Sequence, residues 1–305
     1  MALQTPYTNE QMLRLLALAH RHSNPNLLDN WYFADPINQR GQTLYTGNGY
    51  TIDRWNINSD NSAVSEVVDG GVKLSFKAIY GRWSQFIENY LDCAGKTVTL
   101  SALFTSVSAP VYLQISDGNG TLSKVITEPG LYTATQKVSA SPQKLEVMVQ
   151  RRDASTTEAV ESCVVAAMKL EYGPTQTLAY QDDTGAWQLI DPPPNKQQEL
   201  AKCQRYFVKL ADTNYIGAVG MSWSTAANSA FVSIPIPVPM RSLPSLTSYN
   251  VFLASANGTK FTVNSLDVLD MSPVGIRVRV TRTAAFAEGD QISCMLSNVA
   301  LSAEL

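Results

Sequence analysis

Seven aromatic side chains, Trp31, Tyr32, Tyr45, Tyr50, Trp55, Tyr80 and Trp83, fall within one short stretch of the chain. Polar partners are interleaved with them: Asn38, Gln39, Arg40, Asp53, Arg54 and Gln85. An exposed aromatic ring offers an apolar face to a sugar ring, and amide or guanidinium groups beside it bind the hydroxyls. Trp31, Tyr32, Tyr45, Tyr50 and Trp83 are therefore the candidate stacking residues. Arg40 and Gln85 are the candidate polar contacts. The competing reading is that these aromatics fill a β-sandwich core. It suits Trp55 better, because the adjacent Asp53 and Arg54 would lock a strand end.

Other chemistries find little support. The two histidines, His20 and His22, both precede the strand-rich region. A Ser-His-Asp triad in that region would lack its base. No GxSxG, Walker or HExxH pattern is present, so neither an enzyme nor a cofactor is expected. Two carboxylates suffice for a glycosidase; Glu66, Asp69, Glu88, Asp92, Asp182 and Asp183 keep that alternative open. Asp29, Asp35 and Asp53 could hold a structural calcium ion, but no EF-hand spacing is seen. His20 and His22 are two positions apart and do not share a helix face. Cys93, Cys163, Cys203 and Cys294 form no CxxC pair. Their settings favour buried free thiols over disulfides or zinc.

The elements that must position these residues are mostly strands. Thr8 and Gln11 form a capping-box pattern, and Met12, Leu15, Leu16 and Ala19 recur at helical spacing, predicting a helix over residues 8–20. Beyond it the period becomes two. Val72, Leu74 and Phe76 alternate with polar residues, as do Val111, Leu113 and Ile115, and Leu145, Val147 and Val149. Such strands have one wet and one dry face. Asp69-Gly70-Gly71, Asp117-Gly118-Asn119-Gly120 and Glu128-Pro129-Gly130 supply the turns. The fold class expected is all-β: two antiparallel, jelly-roll-like β-sandwich domains preceded by a short N-terminal helix. The boundaries read as an attachment segment over 1–23, a first sandwich over 24–174, a Pro-rich linker over 175–199 and a second sandwich over 200–305. Prolines at every second position of Ile234–Pro239 predict an edge strand or loop wall there.

Composition narrows the partners. The 305 residues are 45% apolar and 16% charged, with a formal net charge of −3. That is enough apolar material for two cores. No basic block points to nucleic acid or an anionic membrane. No apolar run approaches the roughly 18 residues of a spanning helix, so membrane insertion is not expected. Met1-Ala2-Leu3-Gln4 does not open a secretory signal.

Two stretches resemble bacteriophage and prophage tail proteins. Asn26-Leu27-Leu28-Asp29-Asn30-Trp31-Tyr32-Phe33 through Gly41, followed by Tyr50–Trp55, resembles the opening of a carbohydrate-binding-module-like jelly roll in tail fibres. Met168-Lys169-Leu170-Glu171-Tyr172-Gly173, then Glu199–Phe207, is similar to the join into a C-terminal fibre domain. The run Pro237–Pro244 and the ending Leu301–Leu305 are similar to that domain too. The resemblance implies a tail fibre or receptor-binding protein: a homotrimer held through its C-terminal sandwich, residing in the virion and made in the bacterial cytoplasm. Its partners would be other tail or baseplate proteins and a host cell-surface polysaccharide. A purely architectural tail component, or a capsule-degrading glycosidase, is the alternative.

Overall fold

A computed structural model of the chain describes residues 23–58, 63–76, 81–151, 161–210, 221–222, 228–255, 260–261, 263, 265–281 and 292–305. The helix expected over 8–20, both histidines and Tyr80 lie outside the described residues. The fold is all-β, with antiparallel sheets in sandwich-like arrangement. The chain divides into two compact units. The first comprises Met1–Pro36, Thr43–Thr51 and Trp55–Pro194; the second comprises Ile37–Gln42, Ile52–Arg54 and Asn195–Leu305.

The strands of the first unit are β1 (Leu44–Thr46), β2 (Gly49–Tyr50), β3 (Asn56–Asn58), β4 (Ala63–Val68), β5 (Gly71–Phe76), β6 (Arg82–Phe86), β7 (Thr97–Val107), β8 (Val111–Ser116), β9 (Thr121–Ile126), β10 (Gly130–Lys137), β11 (Glu146–Arg151) and β12 (Glu161–Tyr172). They form two six-stranded sheets, ordered β1-β4-β5-β12-β7-β10 and β2-β3-β6-β11-β8-β9. The period-two residues point to one core: Val72, Leu74, Phe76, Val111, Leu113, Ile115, Val147 and Val149 are all fully buried. Asp69-Gly70 closes the β4–β5 hairpin with Val68 paired to Gly71, and Gly70 takes a φ of 75°, as an Asp-Gly turn requires. Gly71 has no room for a side chain, because a Cβ there would lie 2.5 Å from the Val165 carbonyl oxygen. The Asp117 turn is held by its own carboxylate, which accepts from the N–H groups of Asn119, Gly120 and Ser139. Burial opposes ionisation of Asp117, but these backbone donors outweigh it and keep the carboxyl below its usual range.

The outer face of the first sheet is covered. Thr99, Ser101, Lys169 and Glu171 face away from the core side chains of β7 and β12, yet all four are buried. Segments before β1 and after β12 lie over them. Lys169 Nζ donates to Ser23 Oγ at 2.5 Å and to Asp191 Oδ2 at 2.7 Å. Glu171 accepts from the N–H and the hydroxyl of Thr177, at 2.6 and 2.5 Å. The segment continues into a hairpin of β13 (Ala179–Gln181) and β14 (Trp187–Leu189). The Pro-rich linker expected over 175–199 thus carries structure of its own. Its first part packs on the first unit, because two buried charges on β12 need partners there. Its last part enters a helix, α1 (Lys196–Gln204), in the second unit. Asn195 caps α1 by accepting from the N–H groups of Gln197 and Gln198.

The second unit continues with β15 (Phe207–Lys209), β16 (Met221–Ser222), β17 (Ser229–Pro235), β18 (Ser245–Ser255), β19 (Lys260–Phe261), β20 (Ser265–Ser272), β21 (Gly275–Thr281) and β22 (Ile292–Ser302). Two four-stranded sheets result, β15-β22-β18-β19 and β16-β17-β21-β20. Val208, Val232, Ile234, Ile276, Val278, Val280, Val299 and Leu301 make its core. Pro235 ends β17 opposite Gly275, beyond the two residues, Phe231 and Val232, that pair with β16. Among the described residues, no strand on that side pairs with Pro235, so none needs its missing N–H. Cys93, Cys163 and Cys203 are buried free thiols, and burial pushes the Cys163 thiol well above its ordinary range.

Candidate functional site

The outward side of the first unit's second sheet is also largely buried in its middle, at Ser84, Gln114, Ser116, Glu146 and Met148. Since Trp83, Leu113, Ile115, Val147 and Val149 point to the core, their strand neighbours point out. The pairing registers set these outward residues in rows. One row crosses all six strands: Tyr50, Asn56, Ser84, Met148, Gln114 and Ser123. A second is Asn58, Arg82, Gln150, Tyr112 and Val125, and a third is Phe86, Glu146, Ser116 and Thr121. The face is amide- and hydroxyl-rich, with half-buried rings at Tyr50, Tyr112 and Phe86.

The middle of this face holds polar groups that are buried yet incompletely satisfied. Ser84 Oγ, Gln114 Oε1, Arg82 Nε and Glu146 Oε1 are all shielded and make no hydrogen bond. Glu146 is fully buried. Its Oε2 accepts from Lys144 Nζ at 2.6 Å, but its Oε1 stands 3.5 Å from Arg82 Nε, too far for a charge-assisted hydrogen bond. Gln114 uses its amide N–H on Ser123 Oγ at 2.7 Å and leaves its oxygen idle. Each shielded, unpaired polar atom costs about 1–3 kcal/mol. Of the four, Ser84 Oγ and Gln114 Oε1 are the unpaired ones, whereas Arg82 Nε and Glu146 Oε1 meet as an ion pair.

No protein-family model matches the sequence, and a comparison with curated proteins finds no match. Solved structures give remote likenesses. An exo-β-agarase has a TM-score of 0.30 and 13% identity over 50% of this chain; the chain spans only 26% of the agarase. The carbohydrate-binding module BiXyn10A CBM1 has a TM-score of 0.30 and 11% identity, over 49% of this chain and 100% of that one. The module TmCBM61, in complex with β-1,4-galactotriose, has a TM-score of 0.27 and 14% identity, over 49% of this chain and 99% of that one. At these TM-scores none of the three says what this chain binds.

Of the residues singled out from the sequence, Tyr50 lies at the edge of this face. The others do not. Trp83 is fully buried, stacked on Trp55 with ring centroids 4.1 Å apart, and its Nε1 donates to Thr51 Oγ1. Neither face of its indole is open to a ligand. Trp31 and Tyr45 are also buried, and Tyr45 sits on β1 in the first sheet, paired with Ser65. Tyr32 is half-buried and bridges to Ala167 of the first sheet. Gln85 is buried on the core-facing side of β6, exchanging hydrogen bonds with the N–H and carbonyl of Asp29. Arg40 belongs to the second unit, where it pairs with Asp53 and Glu304. Trp55 is structural, as expected: it is fully buried and its Nε1 donates to Asn30 O. Its neighbours act separately, since Asp53 pairs with Arg40 while Arg54 lies over the Tyr206 ring. The three aspartates considered for calcium do not converge: among the described residues no three His, Cys, Asp or Glu side chains come together.

The residues missed were Arg82, Ser84, Tyr112, Gln114 and Glu146. Their signal lay in the sequence as the complement of the apolar period: Arg82, Ser84 and Phe86 between core residues of β6, and Tyr112, Gln114 and Ser116 between those of β8. What could not be read was that Ser84, Gln114 and Glu146, outward by alternation, would be buried.

Proposed function

We propose that this chain is a non-catalytic glycan-binding protein that holds a polysaccharide on the outer face of the first unit's second sheet. The observation that carries the reading is a set of four polar atoms with hydrogen-bonding capacity left over: Ser84 Oγ and Gln114 Oε1, which make no hydrogen bond, and Arg82 Nε and Glu146 Oε1, which meet only as an ion pair at 3.5 Å. Two of them accept only and Ser84 does either, so the ligand must bring donors that can also accept. Sugar hydroxyls do both. Tyr50, Tyr112 and Phe86 supply ring surface at the margins. The reading as a binder rather than a hydrolase is favoured by charge. Among the described residues of these rows Glu146 is the one carboxylate, whereas a two-carboxylate hydrolysis needs a pair about 5–10 Å apart.

The finer reading is a phage tail fibre or receptor-binding subunit that presents this face to a host-cell polysaccharide. It is supported by the resemblance of residues 26–55 and 168–207 to tail proteins. In a homotrimer, three weak sites, each millimolar to micromolar, would act together.

A glycan array followed by calorimetry on the full chain tests the binding face. We expect reproducible binding to neutral polysaccharides. Gln114→Ala and Glu146→Gln should each weaken it about tenfold or more, the worth of a hydrogen bond involving a charged or desolvated partner. Unchanged melting in Gln114→Ala would assign that loss to the site. Binding by the unsubstituted protein that ignores both changes would move the site elsewhere, and silence across the array would favour a purely architectural role.

A further inference from the structure

The second unit contains a buried ionic cluster that glycan binding does not use. Arg40 bridges two carboxylates, with Nη1 at 3.1 Å from Asp53 Oδ1 and Nη2 at 2.8 Å from Glu304 Oε2. The Asp53 and Glu304 side chains are 1% and 4% exposed. Gln39 donates to Asp53 Oδ2 through both its backbone N–H and its Nε2. The other Glu304 oxygen, Oε1, is shielded and makes no hydrogen bond. The Arg40 guanidinium lies 3.9 Å above the Phe207 ring, and that of Arg54 lies 3.5 Å above Tyr206. The cluster is tied into the sheet nearby. Ala303 N donates to Tyr206 O, Arg241 Nη1 donates to Ala303 O, and Gln39 Nε2 donates to Phe207 O.

We propose that Arg40, Asp53 and Glu304 form a proton-operated clamp in the second unit, which holds residues 299–305 tightly in weakly acidic solution and loosens as the solution becomes alkaline. The physical reason is competition for one cation. Arg40 is shared between two desolvated carboxylates, and Arg54, which lies over Tyr206, offsets the burial of Glu304 only weakly. With both acids ionised, Glu304 Oε1 is a shielded anionic oxygen that accepts no hydrogen bond from the protein. One added proton removes that burden and leaves a neutral acid that still accepts from Arg40. The charged groups near Glu304 are Arg40, Asp53 and Arg54; Arg205 and Arg241 flank it along the chain path.

The ionisation behaviour agrees with the geometry. Burial, only partly offset by Arg40, pushes Asp53 up to about 6 and Glu304 up to about 7. Both folded values lie above the ordinary carboxylate range, so between the two the folded state holds more protons than the unfolded. The stabilisation is complete below the ordinary range and is lost as pH rises through about 6 and then about 7.

Hydrogen exchange on the full chain, followed by mass spectrometry and corrected for intrinsic rates, reads this at the amides of Ala303 and Leu210. Leu210 donates to Val299 O. Protection there should be about tenfold or more greater at pH 5.5 than at pH 8.5, the worth of one pKa unit or more. In Glu304→Gln the difference should shrink or vanish, with high protection at both values. Equal pH dependence in the variant and the unsubstituted protein, or protection that rises with pH, would overturn the clamp. If Glu304→Gln does not fold, carboxyl-carbon NMR titration of the unsubstituted protein decides instead. A Glu304 that titrates near neutrality supports the proposal, and one that titrates in the ordinary range sinks it.

Discussion

Replacing Trp83 by alanine destabilises the first unit by about 3–5 kcal/mol, as expected for deleting a large ring from a close-packed core. Trp83 stacks on Trp55 at an interplanar angle of 16°, and Phe33 meets it edge-on with centroids 5.1 Å apart. All three rings are fully buried. The loss therefore includes two aromatic contacts, a cavity and the donor to Thr51 Oγ1. Urea unfolding followed by near-ultraviolet circular dichroism measures it. Trp83→Phe should recover part of the loss, since it refills much of the volume but not the N–H. A Trp83→Ala protein within about 1 kcal/mol of the unsubstituted one, yet blind to glycans, would instead place this indole in a sugar site.

The second large effect concerns the clamp over the first sheet. Asp191→Ala should cost about 3–5 kcal/mol, because it strands a buried ammonium. Lys169 is 1% exposed, and without Asp191 its remaining partners, Ser23 Oγ and Thr177 O, are neutral. Lys169→Met should cost less. The Asp191 carboxylate is 36% exposed and can turn to water, while the methionine fills the vacated space. The ordering of the two variants is the diagnostic. Limited proteolysis gives a second readout: in Asp191→Ala, cleavage within residues 177–191 should appear well before cleavage within the two sheets. If Lys169→Met proves the more damaging change, the ion pair is not what holds that segment down.

The strands of the first unit were legible because one face of each must be dry, and a period of two in Val72-Lys73-Leu74-Ser75-Phe76 has no other simple reading. The turns were equally plain, since Asp69-Gly70 and Asp117-Gly118-Asn119-Gly120 do in the structure what their side chains and backbone freedom allow. The helix α1 was missed because the proline triplet before it reads as a stiff extended path, which hid the cap at Asn195 and the Gln198 three residues on. The candidate site was legible only in part. Aromatic residues signal both cores and sugar platforms, and at Trp31, Tyr45 and Trp83 the core won. Lys169 and Glu171 read as polar outward residues of an ordinary strand. Only tertiary packing reveals that they recruit the next segment of chain.

The second unit is assembled from three stretches of chain, and the contact between Arg40 and Glu304 joins residues 264 positions apart. Its two earliest pieces, 37–42 and 52–54, are interleaved with strands of the first unit. This bears on how such a protein can diversify. Recombination at Pro194/Asn195 would look like a clean exchange of cassettes, but it would separate Asp53, Arg40 and Arg54 from Glu304, Phe207 and Tyr206. The foreign partner would have to bring loops carrying the same charges, or leave a carboxylate and two aromatic faces without their cations. Variation in what the first unit binds is thus expected to accumulate as substitutions on the outward strand rows of its second sheet, not as wholesale replacement of the unit.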